Sequence, residues 1–565
     1  MDFGRIIGTA ARLLILPFYR RKLRKFESLL ARARSVQTRA LFSKIERCRD
    51  TGFGRDHNFS GIRTLEDFRR EVPLSTYADV APYIDKVCNG HKSALFPESE
   101  KVEAFACTAG TTGRPKIIPI THSWLQEYRR SWEVWGVKAV IDRPNLAGKR
   151  WLQISGPETV DVTPSGMPIG MISAVTARFQ SPLVRSFYVG PIDIANIVDP
   201  LAHYYTILRL SIGTNVGFIT TITPANLIRL AEVGDQCREA LIRDLHEGTL
   251  RHDLNIPEDI RRKINGAIKI KRPGRARELE SVVSRTDALY PKDYWPLVLL
   301  ACWLGGTVGY QSRRLRKYYG DVALRDLGYV STEGRHTIAL SDNSTDGVLA
   351  VDGSYYEFVP AEFAGGENPK VLEGHELQTG REYNVFVTTS GGLYRHDLGD
   401  VVRCNGFMGE APVLEFLHKS GQHSDLEGEK LSSYQIARAV DVACEHSGIE
   451  LESFSALPVR PQTGTPYYVL LVDARDFEDR LTLQDFLNRF DKELMAMNVM
   501  YKQKRNDLYL QKPRMRFVAP GTWAKFAGEA ADRRGTGETQ YKHPVLLAQG
   551  DLPDWLEVVE EIGSG

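Results

Sequence analysis

Helix-like and strand-like patterns alternate along most of the chain, and this alternation restricts the possible folds more than any other feature. A long helical pattern runs through residues 223–250, with Pro224 early and Gly248 near its end. Continuous apolar runs typical of buried strands occupy residues 383–389 and 467–474. Such alternation favours an α/β architecture whose sheets are covered by helices.

Composition bounds the class of protein and its compartment. A chain of 565 residues with 42% hydrophobic and 25% charged residues is typical of a globular protein with roughly two to four domains. Its net charge of +2 indicates no nucleic-acid partner. The seven cysteines are far apart in the sequence and form no C-x-x-C pair. They therefore predict a reducing compartment, the cytoplasm.

The N-terminal segment is basic and partly apolar. Residues 1–55 contain 14 Lys or Arg against 4 Asp or Glu, a local balance of 14 − 4 = +10. The apolar run 6–19 is too short to span a bilayer and contains Arg12. Two interpretations stay open: a helix docked on the protein, or weak peripheral contact of residues 1–25 with an anionic membrane.

The stretch "CTAGTTGRPKIIP", residues 107–119, has the composition of a phosphate-binding loop. It lacks the glycine spacing of a Walker A loop and of a Rossmann fingerprint. The strand-like "VEAFAC" precedes it and the strand-like "KIIPI" follows it, so it predicts a strand–loop–strand unit. Such a loop would surround a polyphosphate with backbone N–H groups and threonine hydroxyls.

The loop resembles the phosphate loop of the acyl-adenylate-forming superfamily, [ST]-[ST]-G-[ST]-T-G-x-P-K, with Ala109 in place of a hydroxyl residue. The superfamily includes acyl-CoA synthetases, luciferases and the adenylation domains of peptide synthetases. The resemblance implies that ATP is a cofactor and that the loop binds its phosphates. The residues implied are Thr108, Gly110, Thr111, Thr112, Gly113 and Lys116.

Two further motifs follow in the order of that superfamily. "GYVSTEG", residues 328–334, resembles its Y-G-x-[ST]-E motif, with Val330 replacing the usual glycine. This resemblance implies that Tyr329 stacks on adenine, Thr332 contacts the adenylate phosphate and Glu333 helps to hold Mg²⁺. "GLYRHDLGDVVR", residues 392–403, resembles the next motif and implies that Asp400 accepts hydrogen bonds from the ribose hydroxyls.

Several longer segments narrow the resemblance to one family. Residues 68–97, 241–250, 294–306 and 540–544 look like the auxin-responsive acyl-acid-amido synthetases, over nearly the whole chain. The family's reaction has two steps. A carboxylic acid first attacks ATP to give acyl-adenylate and pyrophosphate; an amine, usually an amino acid, then displaces AMP and forms an amide.

The resemblance also implies a division into domains and a catalytic lysine. We expect a large adenylation domain at residues 1–417, a hinge at 418–422 that includes Lys419, and a smaller mobile α+β domain at 423–565. Lys542, in "QYKHP", is the candidate lysine from the mobile domain, and Phe407 is a candidate for lining the nucleotide site.

Two other functions share part of these motifs. The same adenylation step could be followed by transfer to a thiol such as coenzyme A. A member without catalysis could bind nucleotide or acyl ligand as a sensor, but the joint presence of Glu333, Asp400 and Lys542 argues against it. The sequence itself does not identify the acid or the amine.

Overall fold

The architecture is taken from a computed structural model of the 565-residue chain. It describes residues 3–108, 116–363, 366, 369–421, 423–477, 480–534, 541–548 and 551–563. The predicted α/β architecture is confirmed, because covered sheets and helices alternate along the chain.

The α-helices follow one another as α1 Phe3–Leu30, α2 Ala33–Cys48, α3 Gly52–Asp56, α4 Leu65–Glu71, α5 Tyr77–Cys88, α6 His122–Asp142, α7 Ile172–Arg178, α8 Pro182–Arg185, α9 Pro200–Ser211, α10 Pro224–Gln236, α11 Arg238–Glu247, α12 Glu258–Ile268, α13 Pro273–Thr286, α14 Pro291–Tyr294, α15 Leu315–Tyr319, α16 Ser433–Ser447, α17 Arg480–Met497, α18 Val499–Asn506 and α19 Thr522–Arg534.

The strands are β1 Val102–Cys107, β2 Ile117–Thr121, β3 Arg150–Gln153, β4 Asp161–Val162, β5 Pro168–Met171, β6 Val216–Thr220, β7 Leu299–Ala301, β8 Ala323–Arg325, β9 Thr337–Ile338, β10 Gly347–Leu349, β11 Tyr355–Pro360, β12 Leu372–Glu373, β13 Glu382–Thr388, β14 His396–Met408, β15 Ala411–Lys419, β16 His423–Ser424, β17 Leu431–Ser432, β18 Phe454–Val459, β19 Tyr467–Asp473, β20 Arg514–Val518 and β21 Val558–Gly563.

Three sheets set the position of the candidate site. A parallel sheet has the order β3-β6-β7-β8, and β2-β1-β5-β4 form a second sheet. A seven-stranded sheet, β12-β11-β13-β14-β15-β10-β9, contains the long hairpin of β14 and β15. The C-terminal part builds its own sheet, β18-β19-β20-β21, with a separate core against α16 and α17.

Two local predictions have clear outcomes. β1 and β2 pair antiparallel on either side of the glycine- and threonine-rich stretch, so the two strands predicted to flank it are confirmed. The predicted helix at 223–250 is wrong as one element, because Cys237 leaves the helical conformation with a ψ of 15°. That break lets α11 turn and pack against α9 and α13, while Gly248 ends it in the left-handed conformation.

The second half of α1 is docked on the protein. Phe26 and Leu30 are buried in a core cluster, and Lys22 pairs with Glu133 on α6 at 2.7 Å. Among the described residues, no helix combines the length and apolarity needed to cross a bilayer. Membrane contact of residues 1–25 gains no support from this packing.

A buried ion pair holds the segment that leads into β14. Glu357, which is 1% exposed, accepts a hydrogen bond from Arg395 Nε at 2.7 Å and from Arg69 Nε at 2.9 Å. Arg395 therefore joins α4 to the start of the strand that carries the candidate site.

We expect Glu357→Gln to destabilise the protein by about 3 kcal/mol or more, because it leaves the buried Arg395 charge uncompensated. Urea unfolding followed by tryptophan fluorescence measures the loss. Glu382→Gln is the control, since its partner Arg403 is partly exposed and the change should cost under about 1 kcal/mol. Equal losses in the two variants would contradict a special role of the buried pair.

Candidate active site

The turn after β8 brings Tyr329 and Glu333 to the carboxyl edge of the parallel sheet. The Asp326 carboxylate accepts hydrogen bonds from the backbone N–H groups of Leu304 and Gly328, each at 2.6 Å. Gly328 has a φ of 85°, and a Cβ there would lie 2.4 Å from the Thr337 carbonyl oxygen. Only glycine fits this turn without displacing backbone.

Tyr329 and Asp400 are directly joined. The Tyr329 hydroxyl donates a hydrogen bond to Asp400 Oδ2 at 2.5 Å, and the ring stacks on Phe416 with the centroids 5.4 Å apart. Both residues are buried. The structure thus brings the tyrosine of the second motif to the aspartate of the third, although 71 residues separate them.

Lys419 completes this group rather than standing apart from it. Its Nζ lies 2.6 Å from Asp400 Oδ1 and donates to the Leu398 carbonyl oxygen at 3.1 Å. Burial lowers its pKa, but Asp400 and Glu333 raise it by more, so the net shift is upward. Lys419 is therefore positively charged at neutral pH. The sequence predicted it as a hinge residue and missed this contact, because only the pairing of β14 with β15 creates it.

Glu333 is buried and carries a charge. Trp124 Nε1 donates to its backbone carbonyl oxygen at 2.8 Å, which fixes the position of the residue. Burial raises the pKa of its carboxyl, while Lys419 and then His396 lower it, and the net shift is downward. The described residues contain no cluster of three or more potential metal ligands. A single ionised carboxylate still suits Mg²⁺, which commonly binds one or two carboxylates together with phosphates and water.

Lys542 reaches this site from the C-terminal part of the chain. Its ammonium lies 4.2 Å from the centre of the Trp303 ring, which follows β7. The residue is exposed to solvent, while its ammonium packs against the Trp303 ring. Burial, and then the positive charge of Lys419, lower its pKa to about 8, while Asp400 opposes the shift.

The two ends of the phosphate-loop stretch are held together. The backbone N–H of Thr108 donates to the Lys116 carbonyl oxygen at 3.0 Å, and that of Lys116 donates to Thr108 Oγ1 at 3.2 Å. The Lys116 ammonium lies 5.7 Å from the Tyr77 ring centre. The other predicted loop residues, Gly110, Thr111, Thr112 and Gly113, lie outside the described residues.

Thr332 and Phe407 have different relations to this group. Thr332 is half-buried and directly precedes Glu333. Phe407 is 40% exposed and lies seven residues beyond Asp400 on β14, roughly 20 Å away along a strand. Its hairpin end packs instead on the junction of α1 and α2, where Glu410 N–H donates to the Leu30 carbonyl oxygen. The structure therefore does not bring Phe407 to the site.

Sequence reasoning missed two side chains here. Trp303 contacts Lys542, and its Nε1 donates to the Gly328 carbonyl oxygen at 3.2 Å. His396 is fully buried near Glu333 and Lys116, and burial lowers its pKa to about 4. His396 lies within the third motif, and Trp303 lies within the family-like segment 294–306; these were the available signals, but neither residue was singled out.

Profiles of one family match most of the chain. Residues 22–324 match the GH3 family N-terminal domain, 347–419 the central domain and 434–551 the C-terminal domain.

Curated relatives from Arabidopsis thaliana match nearly the full length. Indole-3-acetic acid-amido synthetase GH3.4 is 22% identical, covering 92% of this chain and 90% of the relative. 4-substituted benzoates-glutamate ligase GH3.12 is 23% identical, covering 87% and 89%. Among solved structures, GH3.15 acyl acid amido synthetase has a TM-score of 0.82 at 19% identity, covering 96% of this chain and 97% of that one. The similarity to the GH3.15 structure shows that the two chains share a fold.

Proposed function

The chain belongs to the GH3 family, and on this premise we infer that it is an ATP-dependent acyl acid amido synthetase. It activates a carboxylic acid as acyl-adenylate and then transfers the acyl group to an amine, an amino acid. The observation that carries this inference is the full-length match to amido synthetases and ligases.

We propose that the described side chains bind ATP in the way their motifs imply. Tyr329 supports adenine, and Asp400 accepts from the ribose hydroxyls. Each oxygen of the Asp400 carboxylate can accept two hydrogen bonds. Each can therefore accept from a ribose hydroxyl while it keeps its present contact with Tyr329 or Lys419. Thr332 contacts the α-phosphate. The stretch from Thr108 to Lys116, including Gly110, Thr111, Thr112 and Gly113, holds the β- and γ-phosphates.

In the first step a carboxylate oxygen of the acid forms a bond to the α-phosphorus, and the bond from that phosphorus to the bridging oxygen of pyrophosphate breaks. The protein mainly positions the reactants and neutralises their charge. We propose that Lys542 bridges the carboxylate and phosphate oxygens. Mg²⁺, held by Glu333 and the phosphates, would neutralise further negative charge.

In the second step the amine nitrogen bonds to the acyl carbon, and the bond from that carbon to the AMP oxygen breaks. The amine needs an open path to the acyl carbon, whereas the first step needs positive charge at the α-phosphate. We propose that residues 423–565 rotate away from residues 1–417 about a hinge at 418–422. Lys419 lies within this hinge and contacts Asp400. Rotation about the hinge would therefore change that contact during each cycle.

The substrates are proposed as a small organic acid and an amino acid, by analogy with relatives named for indole-3-acetic acid, benzoates and glutamate. We place the reaction in the cytoplasm. The seven cysteines, which all lie among the described residues, are free thiols, as is typical of a reducing compartment. The deciding experiment is acid-dependent pyrophosphate exchange over a panel of acids, followed by mass spectrometry of products formed with amino acids or coenzyme A. An acyl thioester as sole product would overturn the amide assignment. If none of the acids supports pyrophosphate exchange, the sensor function would be the one that remains.

The pH dependence of adenylation follows from Lys542. The lysine must be protonated to place a positive charge at the α-phosphate, and its pKa in the free protein is lowered to about 8. We therefore expect kcat/KM for pyrophosphate exchange to fall as the pH rises through about 8, roughly tenfold per further pH unit. Lys542→Arg keeps the charge at all accessible pH values, so any activity it retains should lack this decline. The same decline in both proteins would assign it to another group.

A further inference from the structure

A small cavity opens beside α7 at the carboxyl end of β3. Its volume is about 170 Å³, slightly more than a cavity that holds benzene. We call it the β3-edge cavity. The lining residues include Gln153, Ala177, Gln180, Tyr188, Ile194 and His203. Apolar side chains and polar groups both form the wall, and the polar groups contribute more than half of its surface.

His203 gives the cavity a buried hydrogen-bond acceptor. The residue is 3% exposed, and its Nδ1 lies 3.1 Å from the carbonyl oxygen of Ile194. A carbonyl only accepts, so Nδ1 carries the proton and Nε2 is left as an acceptor. Burial lowers the pKa of His203 to about 4, which keeps the ring neutral. Nε2 has no hydrogen-bond partner within the described part of the chain.

Neighbouring polar groups do not serve this acceptor. Gln153 Nε2 donates to the Ser173 carbonyl oxygen at 3.4 Å, and the Tyr188 hydroxyl is hydrogen-bonded to Gln180. A buried acceptor without a donor is unfavourable, so a ligand that donates to His203 would gain from it.

The β3-edge cavity lies on the same edge of the parallel sheet as the candidate active site. Strands β3, β7 and β8 are parallel members of that sheet, and Trp303 and Tyr329 follow the ends of β7 and β8. Ligands bind at the carboxyl ends of such strands. β3 and β7 are two strand spacings apart, about 10 Å.

Helix α7 connects the two places. Thr176 on α7 is hydrogen-bonded to Tyr128, and Tyr128 lies within electrostatic range of Arg335, two residues after Glu333. The next residue, Ala177, lines the β3-edge cavity. An acid whose carboxylate lies near Glu333 could therefore extend past α7 into the cavity.

We propose that the β3-edge cavity receives the far end of the acyl group, and that His203 selects acids bearing a hydrogen-bond donor there. The substrate class is a carboxylic acid with one ring, or an aliphatic group of similar size, that carries a hydroxyl or N–H opposite the carboxylate. This proposal rests on the proposed amido synthetase function. A methoxy group in the same place has an oxygen that can only accept hydrogen bonds. It cannot donate to His203 Nε2, so such an acid is rejected.

The cavity itself is tested without ATP or acid. Phenol and toluene have nearly the same size, but only phenol donates a hydrogen bond. We expect saturation-transfer NMR to show phenol binding at least about tenfold more tightly than toluene to the wild-type chain, the scale of one satisfied hydrogen bond. His203→Leu should remove that difference, and Ala177→Leu, which fills the cavity, should weaken both ligands. His246→Leu on the exposed face of α11 is the matched control and should bind as wild type.

The link to catalysis is tested by pyrophosphate exchange with matched acids that carry hydroxyl, methoxy or hydrogen at the far end. We expect a preference for the hydroxy acid, expressed in KM, that His203→Leu abolishes while its thermal midpoint stays close to that of the wild type. Phenol selectivity without any effect of Ala177→Leu or His203→Leu on exchange would overturn the acyl assignment and leave the proposed function intact. A wild-type protein that performs no exchange with any acid would instead refute the proposed function.

Discussion

Lys542→Ala is expected to lose adenylation by two to three orders of magnitude while keeping amide formation from a supplied acyl-adenylate. A loss of this size is typical when one preorganised charge is removed from the site of a phosphoryl transfer. The second step spares this lysine, because the amine attacks the acyl carbon rather than phosphorus. Running the two half-reactions separately on purified variant protein measures both effects.

The contact of Lys542 with Trp303 makes this experiment sharper. The ammonium lies over the Trp303 ring at 4.2 Å, so it reaches the strand-end region that would hold the nucleotide. Lys525 is the matched control, because its ammonium lies over Trp555 at 3.9 Å, in the C-terminal part of the chain. Lys525→Ala should keep both half-reactions. If Lys542→Ala loses both steps together, the lysine has a structural role or acts twice; if it keeps both, the assignment is wrong.

Glu333→Gln is expected to lower adenylation by about two orders of magnitude while ATP still binds. The change keeps the shape of the side chain and removes the charge that would face Mg²⁺ and the phosphates. The pKa of the Glu333 carboxyl is lowered in the folded protein, so the wild-type side chain is ionised throughout the neutral range. Calorimetry with ATP and pyrophosphate exchange measure the two quantities on one preparation.

The metal dependence separates a role in Mg²⁺ binding from a general loss of charge. We expect Glu333→Gln to need a higher Mg²⁺ concentration for half-maximal exchange than the wild type. Glu239→Gln, an exposed position on α11, removes the same charge elsewhere and should behave as the wild type. Normal exchange and an unchanged Mg²⁺ requirement in Glu333→Gln would show that this carboxylate does not hold the metal.

The sequence by itself determined the family, the α/β class and the candidate residues that lie inside short motifs. Such motifs are readable because the chemistry is encoded locally: the β1–β2 unit needs its two strands adjacent, and Tyr329 and Glu333 lie four residues apart on one turn. The Cys237 break in the helical region was not readable, because packing against α9 and α13 decides it rather than local propensity.

Only the tertiary structure decided which distant residues meet. The pairing register of β14 and β15 places Lys419 opposite Asp400, which turns a predicted hinge residue into a member of the site. The same strand carries Phe407 away from it, because an extended chain advances about 3.3 Å per residue. The sequence did not single out Trp303, within the family-like segment 294–306, or His203, because the roles of both depend on what lies beside them in space. Contacts across a fold follow from strand register and helix packing, which a linear pattern of residue types does not specify.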